Sequence, residues 1–210
     1  MLLPIMTMHA LVIFQHARAV LAQEGASGGE PRHVGKDILE FLLERGNLQN
    51  LRNGLPFLRR ASSEEMQVCD SWAESRHQRS AQCPIPSIRT RHASAILHII
   101  ATAGASAVGA PNGIPVDDGM LMMFEGDFGY VLDLDMGVFE IYQGLIDSDE
   151  ILEDRFENYK PGWHLWNSPK RIKSYRFSEL PSVPEYLRQM AEVVREEQNA
   201  ATESEPLDMD

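Results

Sequence analysis

The side chains best suited to chemistry fall in two stretches of the C-terminal half. Asp133 and Asp135 stand two apart in GYVLDLD, so an extended strand puts them on one face, with Glu125, Asp127 and Glu140 able to approach from neighbouring positions. Hard oxygen ligands gathered in this way hold Mg2+ or Ca2+. The competing reading is the wet face of a half-exposed antiparallel sheet, where such charges are common. The second stretch is NYKPGWHLWNSP, in which Tyr159, Trp163, His164 and Trp166 surround Pro161 and Gly162. Aromatic side chains on a loop anchor a ligand or partner, or else fold back to cover one end of a sheet.

The other reactive groups lack the spacing that chemistry demands. The run from Asp147 to Glu157 holds six acids without the glycine-bearing order of an EF-hand loop. His92 and His98 are six apart and so do not share a helix face, and the chain contains no His-Glu-x-x-His. Cys69 and Cys83 are the only cysteines and form no Cys-x-x-Cys pair. Cys69 lies in a helical pattern and reads as a small buried hydrophobe, which suits a reducing compartment. No catalytic residue and no cofactor is assigned on these patterns.

Charge narrows the partners. The chain of 210 residues carries a formal charge of −12, unevenly spread: residues 1–116 hold 11 basic and 9 acidic groups, residues 117–210 hold 8 and 22. Phosphate backbones are bound through clustered Lys and Arg, so nucleic acid is an unfavourable partner. An unknown protein or small molecule is the expected one.

The apolar start, MLLPIMTMHALVIF, admits two readings. It is too short to span a bilayer, and His16 and Arg18 follow the run where a secretion signal would place its positive charge first. A buried strand in a cytoplasmic protein is therefore expected, with secretion and cleavage after Ala22 as the alternative.

The elements that must position these residues form an α+β pattern. TMHALVIF and AVLAQ at 19–23 read as an N-terminal hairpin, and GYVLDLD and VFEIYQ read as a C-terminal one turned at Asp135-Met136-Gly137. In the latter, Tyr130, Leu132 and Leu134 face inward, and Val131, Asp133 and Asp135 face the other way. KRIKSYRFS supplies a later strand. Helices are expected at KDILEFLLERG, at NLQNLRNGL with Asn47 as a possible N-cap, over residues 63–77, through IRTRHASAILHIIATAG, and at the end. Ser62 with Glu65, and Ser182 with Glu185, have capping-box spacing. Residues 105–119, rich in Ala, Gly, Pro, Asn and Asp, read as a flexible surface crossing.

The resulting expectation is an antiparallel sheet made of the two hairpins plus the later strand, with helices packed on it. It forms a single domain over residues 1–196, with a helical insertion at about 36–104 and a disordered acidic tail at 197–210.

FGYVLDLDMGVFEIYQG and KSYRFSELPSVPEYL resemble a family of uncharacterised proteins of filamentous fungi. Its members carry Tyr-Val-Ile-Asp-Leu-Asp, then Phe-Glu-Val-Tyr before a glycine, and a later Phe-x-x-Leu-Pro leading into the last helix, matching residues 129–144 and 177–187. HVGKDILEFL and GNLQNLRNGL look like its first helices, and the resemblance spans about residues 6–196. The chain departs at Met6-Thr7-Met8-His9, where members begin Gly-Thr-Arg-His. It departs again at residues 26–31, Ala-Ser-Gly-Gly-Glu-Pro, where their loop reads Gln-Trp-Asp-Gly-Tyr-Pro. The resemblance implies an architecture and a fungal origin, and no reaction. With no catalytic constellation, the expected function is a soluble, non-catalytic binding or scaffold protein. The alternative is an enzyme or accessory protein of a fungal specialised-metabolite pathway.

Overall fold

Apolar β-branched and aromatic runs make the strands, and stripes at helical spacing make the helices. In the computed structural model, residues 10–16, 19–25, 29–74, 83–89, 94–117, 128–143 and 170–203 are described. The main sheet contains β1 (Ala10–His16), β2 (Ala19–Gly25), β5 (Phe128–Asp133), β6 (Val138–Gln143) and β7 (Lys170–Arg176), in the order β2-β1-β5-β6-β7. β5, β6 and β7 are antiparallel to one another, as are β1 and β2. The expected all-antiparallel sheet is corrected at one seam, where β1 lies parallel to β5 with Val12 opposite Tyr130. A parallel pair needs a long crossover, and the helical insertion provides it.

That insertion begins with a π-helical turn, Pro31–Gly35, that runs into α1 (Lys36–Leu43) and is followed by α2 (Asn47–Gly54). The residue before α2 is Gly46, and Asn47, expected as its cap, instead donates its side-chain amide to the Phe41 carbonyl at 3.0 Å. β3 (Leu58–Arg60) and α3 (Ser63–Glu74) follow, then α4 (Ala95–Ala105) and β4 (Ile114–Val116). The supposed surface crossing thus contains a strand: Ile114 and Val116 are buried, and β4 pairs in parallel with β3. Its cue is weak because Pro115 interrupts the apolar pair.

α2 and α4 cross with their backbones nearly touching. A Cβ on Gly54 would collide with the Ile100 carbonyl, and one on Gly104 with the Asn50 carbonyl. α5 (Val183–Glu203) closes the fold and runs past the expected boundary at 196, while residues 204–210 lie outside the described set. Its residues Tyr186 and Met190 join Ile38, Leu39, Leu97, Tyr130, Phe139 and Ile141 in one core. Rings stack across that core from Tyr130 to Phe139 and Phe139 to Tyr175, with centroids 6.5 and 6.2 Å apart, and Tyr175 meets Tyr186 at 6.1 Å.

Candidate functional site

Tyr159, Trp163, His164 and Trp166 lie outside the described residues. Asp133 and Asp135 are described, and the structure treats them differently. Asp133 is buried and its Oδ1 accepts the backbone N–H groups of Asp135 and Met136 at 3.0 and 2.8 Å, fastening the β5–β6 turn. Gly137 completes that turn at φ 68°. Asp135 itself is exposed. Among the described residues no three His, Cys, Asp or Glu side chains gather as a metal site.

The face of β5 expected to be wet is instead buried along with the other: Val131, Asp133, Glu140 and Tyr142 are all at most 3 % exposed. On it the Glu140 carboxylate accepts the Tyr142 hydroxyl at 3.0 Å and the Arg171 guanidinium at 3.2 Å. A bulge places Arg171 there. Ile141 pairs with Lys173 but Tyr142 pairs with Arg171, so Ile172 is the extra residue, and it packs with the aromatic core on the opposite face. Glu140 was visible from sequence only as a possible neighbour of Asp133; its partners were not, because a bulge breaks the period of two that places side chains on faces.

A second constellation lies on the insertion. α3 starts with the capping box legible in the sequence: Ser62 Oγ accepts the Glu65 N–H at 3.2 Å and Glu65 Oε2 accepts the Ser62 N–H at 2.8 Å. Arg59 from β3 also donates two hydrogen bonds to Glu65, at 2.8 and 2.6 Å. The guanidinium, followed by the Ser62 N–H, lowers the Glu65 carboxyl to about 2. Arg89 pairs with Asp70 at 2.7 Å, and Ser87 donates to the Pro115 carbonyl at 2.6 Å, tying the loop at 83–89 to both α3 and β4.

Beneath these ties is a small separate core of Cys69, Cys83 and Ile88, flanked by Ala61, Met66, Trp72 and Ile85. The two thiols touch, Sγ to Sγ 3.6 Å, although nothing in their spacing announces it. Burial, and then the Cys83 contact, pushes the Cys69 thiol up to about 12.

Two open recesses flank α3. One, of about 460 Å³, lies between the helix and β4 and is lined by Arg60, Met66, Gln67, Asp70 and Asp117 among others. The other, of about 390 Å³, is lined by Gln67, Val68, Ser71, Trp72 and Pro84. Gln67 borders both, and Val68 beside it is 46 % exposed, one of the few large apolar side chains among the described residues that face solvent.

No protein-family model, no curated protein and no solved structure matches this chain. Among the described residues no helix is long and apolar enough to cross a membrane.

Proposed function

We propose that this chain is a non-catalytic binding protein and that the outer face of α3 is the surface it uses. In this reading the sheet, viewed as an N-terminal and a C-terminal hairpin with one later strand, is the scaffold, and the insertion is the working part. The observation that carries the reading is the outer face Gln67-Val68-Ser71, where Gln67 separates two recesses and the exposed Val68 borders the second. Glu65 and Asp70, to the sides of it on α3, are engaged by Arg59 and Arg89 and hold the helix in place, and the exposed Glu64 stands one turn before Val68 on the same face. A face with mixed polar rims and an apolar centre suits a protein partner, whose own apolar side chains would enter the recesses.

A photo-crosslinking amino acid at Val68, compared with one at Val108, tests this directly. Val108 is more exposed, at 79 %, but lies in the turn after α4. A crosslinked species of defined mass at Val68 and not at Val108 is the expected result, and equal labelling at both sites would refute it.

The second reading, an enzyme or accessory protein of a fungal biosynthetic pathway, rests on the family resemblance and on one observation. Glu140 is a buried carboxylate hydrogen-bonded by Tyr142 and Arg171, the kind of setting in which general acid–base groups are found. Its signature is turnover of a small molecule that Glu140→Gln abolishes.

A further inference from the structure

We propose that Cys69 and Cys83 are an oxidisable pair that closes into an intramolecular disulfide, tying the middle of α3 to the loop that begins at Cys83. The inference rests on the placement of the pair and holds whether or not the recesses bind a partner.

Cys69 comes from the inward face of α3 and Cys83 from the chain that returns beside it, and both are buried. Their sulfurs are 3.6 Å apart and share one backbone carbonyl, that of Ile85, at 3.9 and 3.5 Å. To reach the bonded distance of about 2.05 Å they must close by roughly 1.5 Å. Apolar side chains pack around the pair with the Arg89–Asp70 ion pair nearby, and among the described residues no set of three His, Cys, Asp or Glu is available to make the pair a metal site. Two touching thiols with no other hydrophilic purpose in a small apolar core are set for each other.

A low-molecular-weight disulfide of the glutathione class is the oxidant. Cys83, 4 % exposed against 0 % for Cys69, is the sulfur that meets it first. Cys83 releases its proton to solvent, bonds one sulfur of the oxidant and expels the other as a thiolate. Cys69 then loses its proton and attacks the Cys83 sulfur, breaking the mixed disulfide and expelling the second small thiolate. Both expelled thiolates take up a proton, so two protein thiols are oxidised and one small disulfide is reduced to two thiols. Because burial holds the Cys69 thiol up at about 12, ring closure is the slow step and proceeds through openings of the loop at 83–89. Once formed, the bond fixes Pro84, which borders the second recess, against α3.

The test incubates the full native chain with graded mixtures of oxidised and reduced glutathione, followed by acid quench, thiol counting and peptide mapping. The expected product is a monomer that has lost both free thiols and yields one linked peptide pair containing residues 69 and 83. Its melting temperature should rise by about 5 °C or more, since the bond closes a loop of about 15 residues. Free thiols persisting under the most oxidising mixture would overturn the proposal. So would a glutathione adduct on Cys83 that never closes, or links between chains only. The wild-type mapping does not depend on any variant folding. Cys83→Ser adds a control in which the oxidant must no longer raise the melting temperature, and a persisting rise also counts against the pair.

Discussion

Gly35→Ala should destabilise this protein, although on local grounds it ought to help. Alanine is favoured over glycine by about 0.5–1 kcal/mol in a helix interior, and Gly35 sits where the π-helical turn enters α1. The obstacle is space. An added Cβ would fall deep inside contact with the Tyr186 hydroxyl, 2.9 Å from Tyr130 Cε1 and 3.3 Å from Tyr186 Cζ. Neither ring can retreat, because both are fully buried and both hydroxyls are in use: Tyr130 donates to the Gly29 carbonyl at 2.6 Å and Tyr186 to the Pro31 carbonyl at 3.0 Å. Overpacking costs about 1–3 kcal/mol, and displacing the Tyr186 hydroxyl from the Pro31 carbonyl leaves that buried hydroxyl without its acceptor for about 1–3 more. Subtracting the helix gain leaves about 3 kcal/mol, or a melting temperature lower by about 6–12 °C for a chain of this size.

Urea denaturation of the single and double variants gives the decisive number. Tyr186→Phe alone should cost about 1 kcal/mol for its lost hydrogen bond. In the double variant the worst clash is gone, so its cost should fall below the sum of the singles by about 1 kcal/mol or more. A strictly additive double variant, or Gly35→Ala within about 0.5 kcal/mol of wild type, would refute the reasoning.

Two further outcomes follow from other contacts. Glu140→Ala, followed by urea denaturation, should cost about 2–3 kcal/mol, because it deprives the buried Tyr142 hydroxyl of its acceptor; the Arg171 side chain, 36 % exposed, regains water and keeps the loss below that of a fully buried pair. Glu65 is lowered from 4.5 to about 2 in the folded chain, so the stability it contributes is present above pH 4.5 and is lost as pH falls towards 2. Melting curves across that window should show wild type losing its advantage over Glu65→Gln, and a pH-independent gap between them would count against the Arg59 contact.

What the sequence disclosed was local. Ser62 and Glu65 satisfy each other within one helical turn, so their spacing alone specified the cap. The apolar stripe of KDILEFLL likewise placed Ile38, Leu39, Phe41 and Leu42 inside, but Leu43, which the same stripe includes, is 46 % exposed. Features set by distant segments left no such trace. Gly54 ends α2 and Gly104 lies in the last turn of α4, and together they let the two backbones touch. Cys69 was correctly read as buried, but its contact with Cys83 depends on where a connector returns. Asp133 looked like a surface charge because alternation assumes one wet face, and this strand has none.

The two faces of the sheet place opposite demands on β7, and the bulge at Ile172 is how one strand meets both. On one side Tyr175 must complete the aromatic stack, which fixes the strand opposite Phe139. With strict alternation from Tyr175, Ile172 would then fall opposite Tyr142 on the face of Glu140, and Arg171 would turn to the face of the aromatic core. A buried carboxylate facing an isoleucine and a guanidinium among aromatic rings would each cost several kcal/mol. Inserting one unpaired residue sends Ile172 to the core and Arg171 to Glu140 while leaving Tyr175 in place. The ion pair therefore constrains register as well as charge: a slip of β7 by one residue would unmake the stack and the pair together, so both faces select the same alignment.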